Sequence, residues 1–120
     1  MKSLLVIDDA HVVRTMLGRM LGRLNYQVYF AEDGESAIEI LGFKSVDAII
    51  LDLHLPYMSG LDCLNQIRQD RRLTHLPIIF LATMPTDYRD IDAVKMAQDS
   101  IIQKPIHEHA LVDALALLFS

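Results

Sequence analysis

Apolar residues fall into two rhythms along this chain, and the rhythms alternate. Short runs rich in branched, aliphatic and aromatic residues occupy Ser3–Ile7, Tyr26–Ala31, Val46–Leu51, Ile78–Ala82 and Ser100–Gln103. Such runs read as strands covered on both faces, the condition of a parallel sheet. Between them, apolar residues recur every three or four positions, the period of a helix. The first helix carries Val12, Val13, Met16, Leu17, Met20, Leu21 and Leu24. The second, Glu35–Gly42, turns Ala37, Ile38 and Leu41 inward, and the third, Leu61–Gln69, does the same with Leu61, Leu64 and Ile67. A fourth is expected from a cap at Thr86 or Asp87 to about Ala97, and a fifth over Glu108–Phe119. Asp33-Gly34 marks a turn, Pro56 and Gly60 mark a loop over Asp52–Gly60, and Pro77 opens the fourth strand, where proline is tolerated. Gly18 and Gly22 lower the propensity of the first helix, and close packing against the sheet is the expectation for both.

A strand–helix pair repeated five times predicts an α/β fold, a (βα)5 doubly wound five-stranded parallel sheet with helices on both faces and right-handed crossovers. The 120 residues fit a single domain, 1–120, without linker, repeat or low-complexity segment. A chain of this length buries roughly 65% of its unfolded surface, so it needs no disulfide or metal to fold. With 52% hydrophobic and 22% charged residues it is globular. The lone Cys63 has no internal disulfide partner, Met1-Lys2-Ser3 leads straight into the first strand without room for a signal peptide, and no apolar stretch approaches the roughly 18 residues of a membrane span. A cytoplasmic protein that engages no membrane is the expectation. The formal net charge of −5 argues against a nucleic-acid surface, which needs a basic stripe. Arg14, Arg19 and Arg23 read as one solvated helix face, and Arg71-Arg72 as a loop.

Candidate chemistry sits at the ends of the runs. The first ends in Asp8-Asp9, the third in Asp52, and the fifth in Lys104-Pro105. Ligands of open parallel sheets gather outside the carboxyl ends of the strands, so three carboxylates and one ammonium meet at one edge. Clustered carboxylates repel unless a cation relieves them, and Mg2+ is hard, octahedral and satisfied by one or two carboxylates plus waters. A backbone carbonyl after Asp52, that of His54, is a candidate to complete the set. Asp52 stands alone at its strand end and is the nucleophile candidate, since carboxylates attack phosphorus to give aspartyl phosphates. Phosphoryl transfer is mostly positioning and charge neutralisation, a role that suits the point charge of Lys104. Asp9, taken alone, reads as a cap of the first helix.

With these motifs the chain resembles the receiver domain of bacterial two-component response regulators. The matching pieces are Val6-Ile7-Asp8-Asp9, Ile50 through Gly60, Pro77 through Leu81, and Lys104-Pro105, and the resemblance spans essentially all of the chain. It implies a flavodoxin-like receiver fold. It implies that Asp52 accepts phosphate from the phosphohistidine of a histidine kinase or phosphotransfer protein. Asp9 and Asp52 would bind Mg2+ directly, Asp8 through water, and Lys104 would pair with the phosphoryl group. A cis peptide at Lys104-Pro105 is implied as well. Such a domain phosphorylates and dephosphorylates itself, acts on no independent substrate, and signals through a downstream protein.

Two positions depart from the family. Receivers end the fourth strand in Ser or Thr followed by Ala; here Ala82 holds the hydroxyl position and Thr83 follows. Neighbouring strand residues face opposite ways, so Thr83 reaches the pocket only if the chain has already left the strand. The family's switch aromatic, three residues before the lysine, is Ile101. The phosphorylation chemistry is expected intact and its usual transmission weakened or rerouted. The alternative is a degenerate receiver serving as a phosphorylation-independent interaction module; a phosphatase-type hydrolase is weaker, for want of a substrate cap. The last helix carries Leu111, Val112, Leu115, Leu117, Leu118 and Phe119, more apolar surface than one core stripe needs, so a partner or homodimer face is the competing reading to close packing.

Overall fold

The computed structural model describes all residues from Met1 to Ser120. Its strands are β1 (Ser3–Ile7), β2 (Gln27–Ala31), β3 (Ala48–Asp52), β4 (Ile78–Ala82) and β5 (Ser100–Gln103). Its helices are α1 (His11–Arg23), α2 (Gly34–Leu41), α3 (Gly60–Gln69), α4 (Pro85–Asp92) and α5 (Glu108–Leu118), with a 3-10 turn at Arg71–Leu73. All pairings are parallel and the strand order is β2-β1-β3-β4-β5. The expected doubly wound sheet is present, with the order reversing beside β1.

Every residue of β1, β3 and β4 is buried, which is why those runs are continuous rather than alternating. Alternate side chains feed two cores. One gathers Leu5, Ile7, Ile49, Leu51, Ile78 and Phe80 with α2 and α3. The other gathers Leu4, Val6, Ile50, Ile79 and Leu81 with Leu17 and Leu21 of α1 and Leu111 and Leu115 of α5. Edge strand β2 is only partly covered, and Phe30 lies 41% exposed.

Several expectations need correction, among them Arg71-Arg72, which lie in the 3-10 turn rather than in a plain loop. Helix α4 begins at Pro85 with Met84 as its N-cap, so neither Thr86 nor Asp87 is the cap residue; it also stops at Asp92 rather than near Ala97. Proline is pre-organised for the first helical turn, and Asp87 at the third position reaches back to accept from the N–H of Thr83 and Met84, both at 2.8 Å. Asp9 does not cap α1, whose N-cap is Ala10 without a side-chain bond. Of the three arginines on α1, Arg14 is not simply solvated, because its Nη1 donates to the Asp8 carbonyl at 2.8 Å. A Cβ on Gly18 would come within 2.8 Å of the Phe30 ring, as close packing requires, but Gly22 has nothing within 4 Å.

Cys63 is fully buried on α3, and burial, reinforced by the charge of Asp33, pushes its thiol up to about 11. The thiolate fraction at pH 8 should then fall about 100-fold below that of an ordinary cysteine. Folded protein is expected to react with iodoacetamide slower by at least that factor than urea-unfolded protein, followed by mass spectrometry.

The last helix buries Leu111, Ala114 and Leu115, and Phe119 packs on Tyr26 at 5.9 Å between ring centroids. Val112 and Leu117 remain exposed, so close packing accounts for most of the helix's apolar residues and leaves two outward.

Candidate functional site

Strand register assembles the site. Ile7 pairs with Leu51, so the residues that follow them, Asp8 and Asp52, stand side by side at the end of the sheet. Asp52 pairs with Leu81, Ala82 pairs with Gln103, and the Lys104 N–H donates to the Ala82 carbonyl at 2.8 Å. Four adjacent strands therefore deliver their ends to one edge.

Local turns then orient the carboxylates. Asp8 Oδ1 accepts from the N–H of Ala10 at 2.9 Å, and Asp52 Oδ1 accepts from the N–H of His54 at 3.1 Å. These are Asx-type turns, in which the side chain takes the place of a backbone carbonyl. Each leaves an Oδ2 turned to Lys104, whose Nζ stands 2.8 Å from Asp8 Oδ2 and 3.2 Å from Asp52 Oδ2. Asp8 and Asp52 are buried, while Asp9 is exposed at the mouth. One ligand atom from each of the three acids can be chosen so that all lie within 4.8 Å of one another.

Charge is unbalanced here. Burial pushes the Asp52 carboxyl above its ordinary value; the Asp8 charge pushes the same way, against the His54 N–H and Lys104. Burial would lower the Lys104 ammonium, yet Asp8 and Asp52 outweigh it and hold it above its usual value. Three carboxylates against one ammonium leave two negative charges uncompensated. Asp8 Oδ2 is buried with no aligned hydrogen-bond donor; Lys104 meets it as an ion pair only. The His54 carbonyl accepts no hydrogen bond. An acidic trio with a buried, undersatisfied oxygen and a spare carbonyl fits a hard divalent cation such as Mg2+.

Asp8, Asp9, Asp52 and Lys104 are thus brought together as the strand-end motifs predicted. Thr83 is not: it is exposed, its N–H is taken by Asp87, and its hydroxyl makes no hydrogen bond. Ala82 is fully buried at the end of β4. The Lys104–Pro105 peptide is cis, as the resemblance implied. Two residues of the surroundings escape sequence reasoning. The His54 ring, about half exposed, places Nε2 3.0 and 3.1 Å from the two carboxylate oxygens of Asp87, which is nearly fully buried. Burial opposes the charge of Asp87, but the N–H groups of Met84 and Thr83 and the His54 ring outweigh it and hold its pKa below the ordinary value. The capping-box position of Asp87 is a signal for its role at α4, whereas nothing in the sequence links it to His54. Tyr57, at the rim, is 99% exposed with φ 68°, a left-handed conformation that costs a tyrosine of order 1 kcal/mol or more.

Fold and site together define a doubly wound α/β domain with a cluster of carboxylates and a facing lysine at the switch-point edge. The chain belongs to the family of the response regulator receiver domain, whose family model matches residues 4–116. It is therefore a receiver domain of the two-component signalling type. It is similar to the chemotaxis protein CheY1 of Helicobacter pylori, with 33% identity over 97% of this chain and 95% of that protein. It is also similar to the alkaline phosphatase synthesis transcriptional regulatory protein PhoP of Bacillus subtilis, at 31% identity over 87% of this chain and 42% of that longer protein. Among solved structures, Vibrio cholerae CheY4 superposes with TM-score 0.88 at 27% identity, covering 98% of both chains. The receiver domain of the sensor histidine kinase PA1611 from Pseudomonas aeruginosa superposes with TM-score 0.87 at 26% identity, covering 99% of this chain and 98% of that one; its crystal structure holds a magnesium ion in the active-site cleft.

Proposed function

We propose that this domain is a phosphoacceptor whose Asp52 takes a phosphoryl group from a phosphohistidine on a histidine kinase or phosphotransfer protein, and that it signals by contact with a downstream protein. One observation carries the reading: Asp52 Oδ2, buried between Asp8 and Lys104, faces the only ammonium of an otherwise acidic pocket. An Asp52 oxygen attacks phosphorus, the O–P bond forms, and the N–P bond of the donor breaks. Its electron pair returns to the donor imidazole, which then takes up a proton. Lys104, already within ion-pair distance, is placed to neutralise the transferring group. The His54 N–H fixes the Asp52 rotamer by holding Oδ1. Asp9, Asp52 and the His54 carbonyl would hold Mg2+, with Asp8 acting through water. Bound there, Mg2+ would supply charge neutralisation for phosphoryl oxygens. The domain would act on no substrate but itself, in the cytoplasm.

Incubation with acetyl phosphate and Mg2+, followed by intact mass, tests this: one phosphoryl adduct should appear and should fail to form when EDTA is present from the start. Lys104→Ala is expected to slow adduct formation about 100-fold, the scale of losing one transition-state charge partner, while leaving the fold intact by circular dichroism.

The absent hydroxyl at Ala82 and the aliphatic Ile101 favour a second reading, a degenerate receiver that binds its partner without phosphorylation. Absence of any adduct under these conditions would leave that reading standing.

A further inference from the structure

Helix α4 is tied to two of the site's charged residues, Asp52 and Lys104, through their chain neighbours. Asp87, in its first turn, receives the His54 ring, and His54 lies two residues after Asp52. Tyr88, next on the helix, donates its hydroxyl to Gln103 Oε1, and Gln103 immediately precedes Lys104. The same Asp87 carboxylate holds the N–H of Thr83 and Met84, the chain leading out of β4. The start of α4 thus depends on a carboxylate shared between its own backbone and a ring from the β3–α3 loop.

His54 has three polar groups, and each faces a different party. Its N–H donates to Asp52 Oδ1 and its ring meets Asp87. Its carbonyl accepts no hydrogen bond, and in the proposed function it is a cation ligand. A site can move a distant element only through contacts that differ between its two states. Loading Asp52 together with Mg2+ changes two of these three contacts: the acceptor of the N–H passes from a carboxylate oxygen to an oxygen of a neutral acyl phosphate carboxyl, and the carbonyl gains a cation. Meanwhile Ala82 and Ile101 offer no hydroxyl and no ring for the purpose.

We propose that the His54 side chain couples loading of Asp52 to α4, by holding Asp87 in one state and yielding it in the other. The coupling deepens the phosphoacceptor reading and rests on it. His54 is here a positioning residue, and its ring need not touch the phosphoryl group.

The test compares backbone amide spectra of the 15N-labelled chain with and without beryllofluoride and Mg2+. In the unaltered protein, the amides of Thr83, Met84 and Thr86 to Asp92 should shift along with that of Leu53. His54→Ala keeps the backbone N–H and carbonyl that face Asp52 and the cation and removes only the ring, so the Leu53 response should persist while the α4 response falls about fivefold, the low end of a typical coupling between sites. His54→Gln, whose amide can still donate to Asp87, should restore most of it. The ring is half exposed, and in both variants Asp87 keeps the N–H groups of Thr83 and Met84, so the sheet and its two cores are untouched. An α4 response in His54→Ala equal to that of the unaltered protein would overturn the coupling and leave the phosphoacceptor reading intact. So would an unaltered protein whose Leu53 responds and whose α4 does not. Loss of the adduct itself in His54→Ala would make the ring a binding group and overturn the coupling as well. Silence at Leu53 in the unaltered protein would defeat the phosphoacceptor reading, and this inference with it.

Discussion

Asp52→Asn is expected to reduce phosphoryl adduct formation from acetyl phosphate by at least about 1,000-fold, since a carboxylate nucleophile is replaced by a neutral amide of the same shape. Intact mass and a beryllofluoride titration report the loss. The same variant should behave oppositely in stability. Burial, helped by Asp8, raises the Asp52 carboxyl in the folded state, so the ionised form is less favourable there than in the unfolded chain. A group with a raised folded pKa contributes its full stability below its unfolded value and loses it as pH rises through the folded one. Without divalent cation, Asp52→Asn should therefore match the unaltered protein near about pH 4 and melt higher at about pH 7, roughly 4–8 °C for each kcal/mol recovered. Mg2+ should stabilise the unaltered protein, by about 1.4 kcal/mol at ten times its dissociation constant, and the variant less. A lower melting temperature for the variant at neutral pH without Mg2+ would show that the Lys104 pair outweighs burial.

Gly60→Ala should be the most damaging single methyl addition near the site. A Cβ at Gly60 would fall 2.3 Å from the Asp52 carbonyl oxygen and 2.6 Å from Leu53 Cα, both backbone. No rotamer change relieves a clash with backbone, so either α3 or the end of β3 must shift. The Gly60 N–H donates to the Leu53 carbonyl at 2.8 Å, which locks the same approach. The expected cost is about 3 kcal/mol or more, at the upper end of overpacking. Urea unfolding should show a lower midpoint at unchanged slope. Because the shift falls on the strand end that carries Asp52, adduct formation should slow as well. A variant with unaltered midpoint would mean that the loop swings away from β3 without loss.

The parts of this molecule that could be read from the chain share a physical cause. Strands β1, β3 and β4 are covered on both faces, so their apolar runs are unbroken, and the residue that ends each run is placed by the sheet itself. Asp8 and Asp52 are legible for that reason, and Lys104 follows the shorter, partly buried run of β5. Helix α4 is the counterexample. Ala93, Val94, Lys95, Met96 and Ala97 carry no breaker and suit a helix, yet all are exposed and the helix ends before them. Propensity alone does not hold a turn that buries nothing. The His54–Asp87 contact joins side chains 33 residues apart on different elements, and no local pattern encodes such a meeting. Asp87 looked like a cap because it does cap, from inside the first turn rather than ahead of it.

The shortness of α4 has a thermodynamic corollary. A helix of eight residues lies below the roughly 12–15 at which isolated helices become even marginal in water. Its order is borrowed from Ile91, its one buried apolar side chain, and from the Asp87 and Tyr88 anchors. Such a segment forms a cooperative unit of low opening free energy, able to melt while the sheet beneath it stays folded. The domain thus places beside its acidic pocket an element whose order–disorder balance is easily tipped.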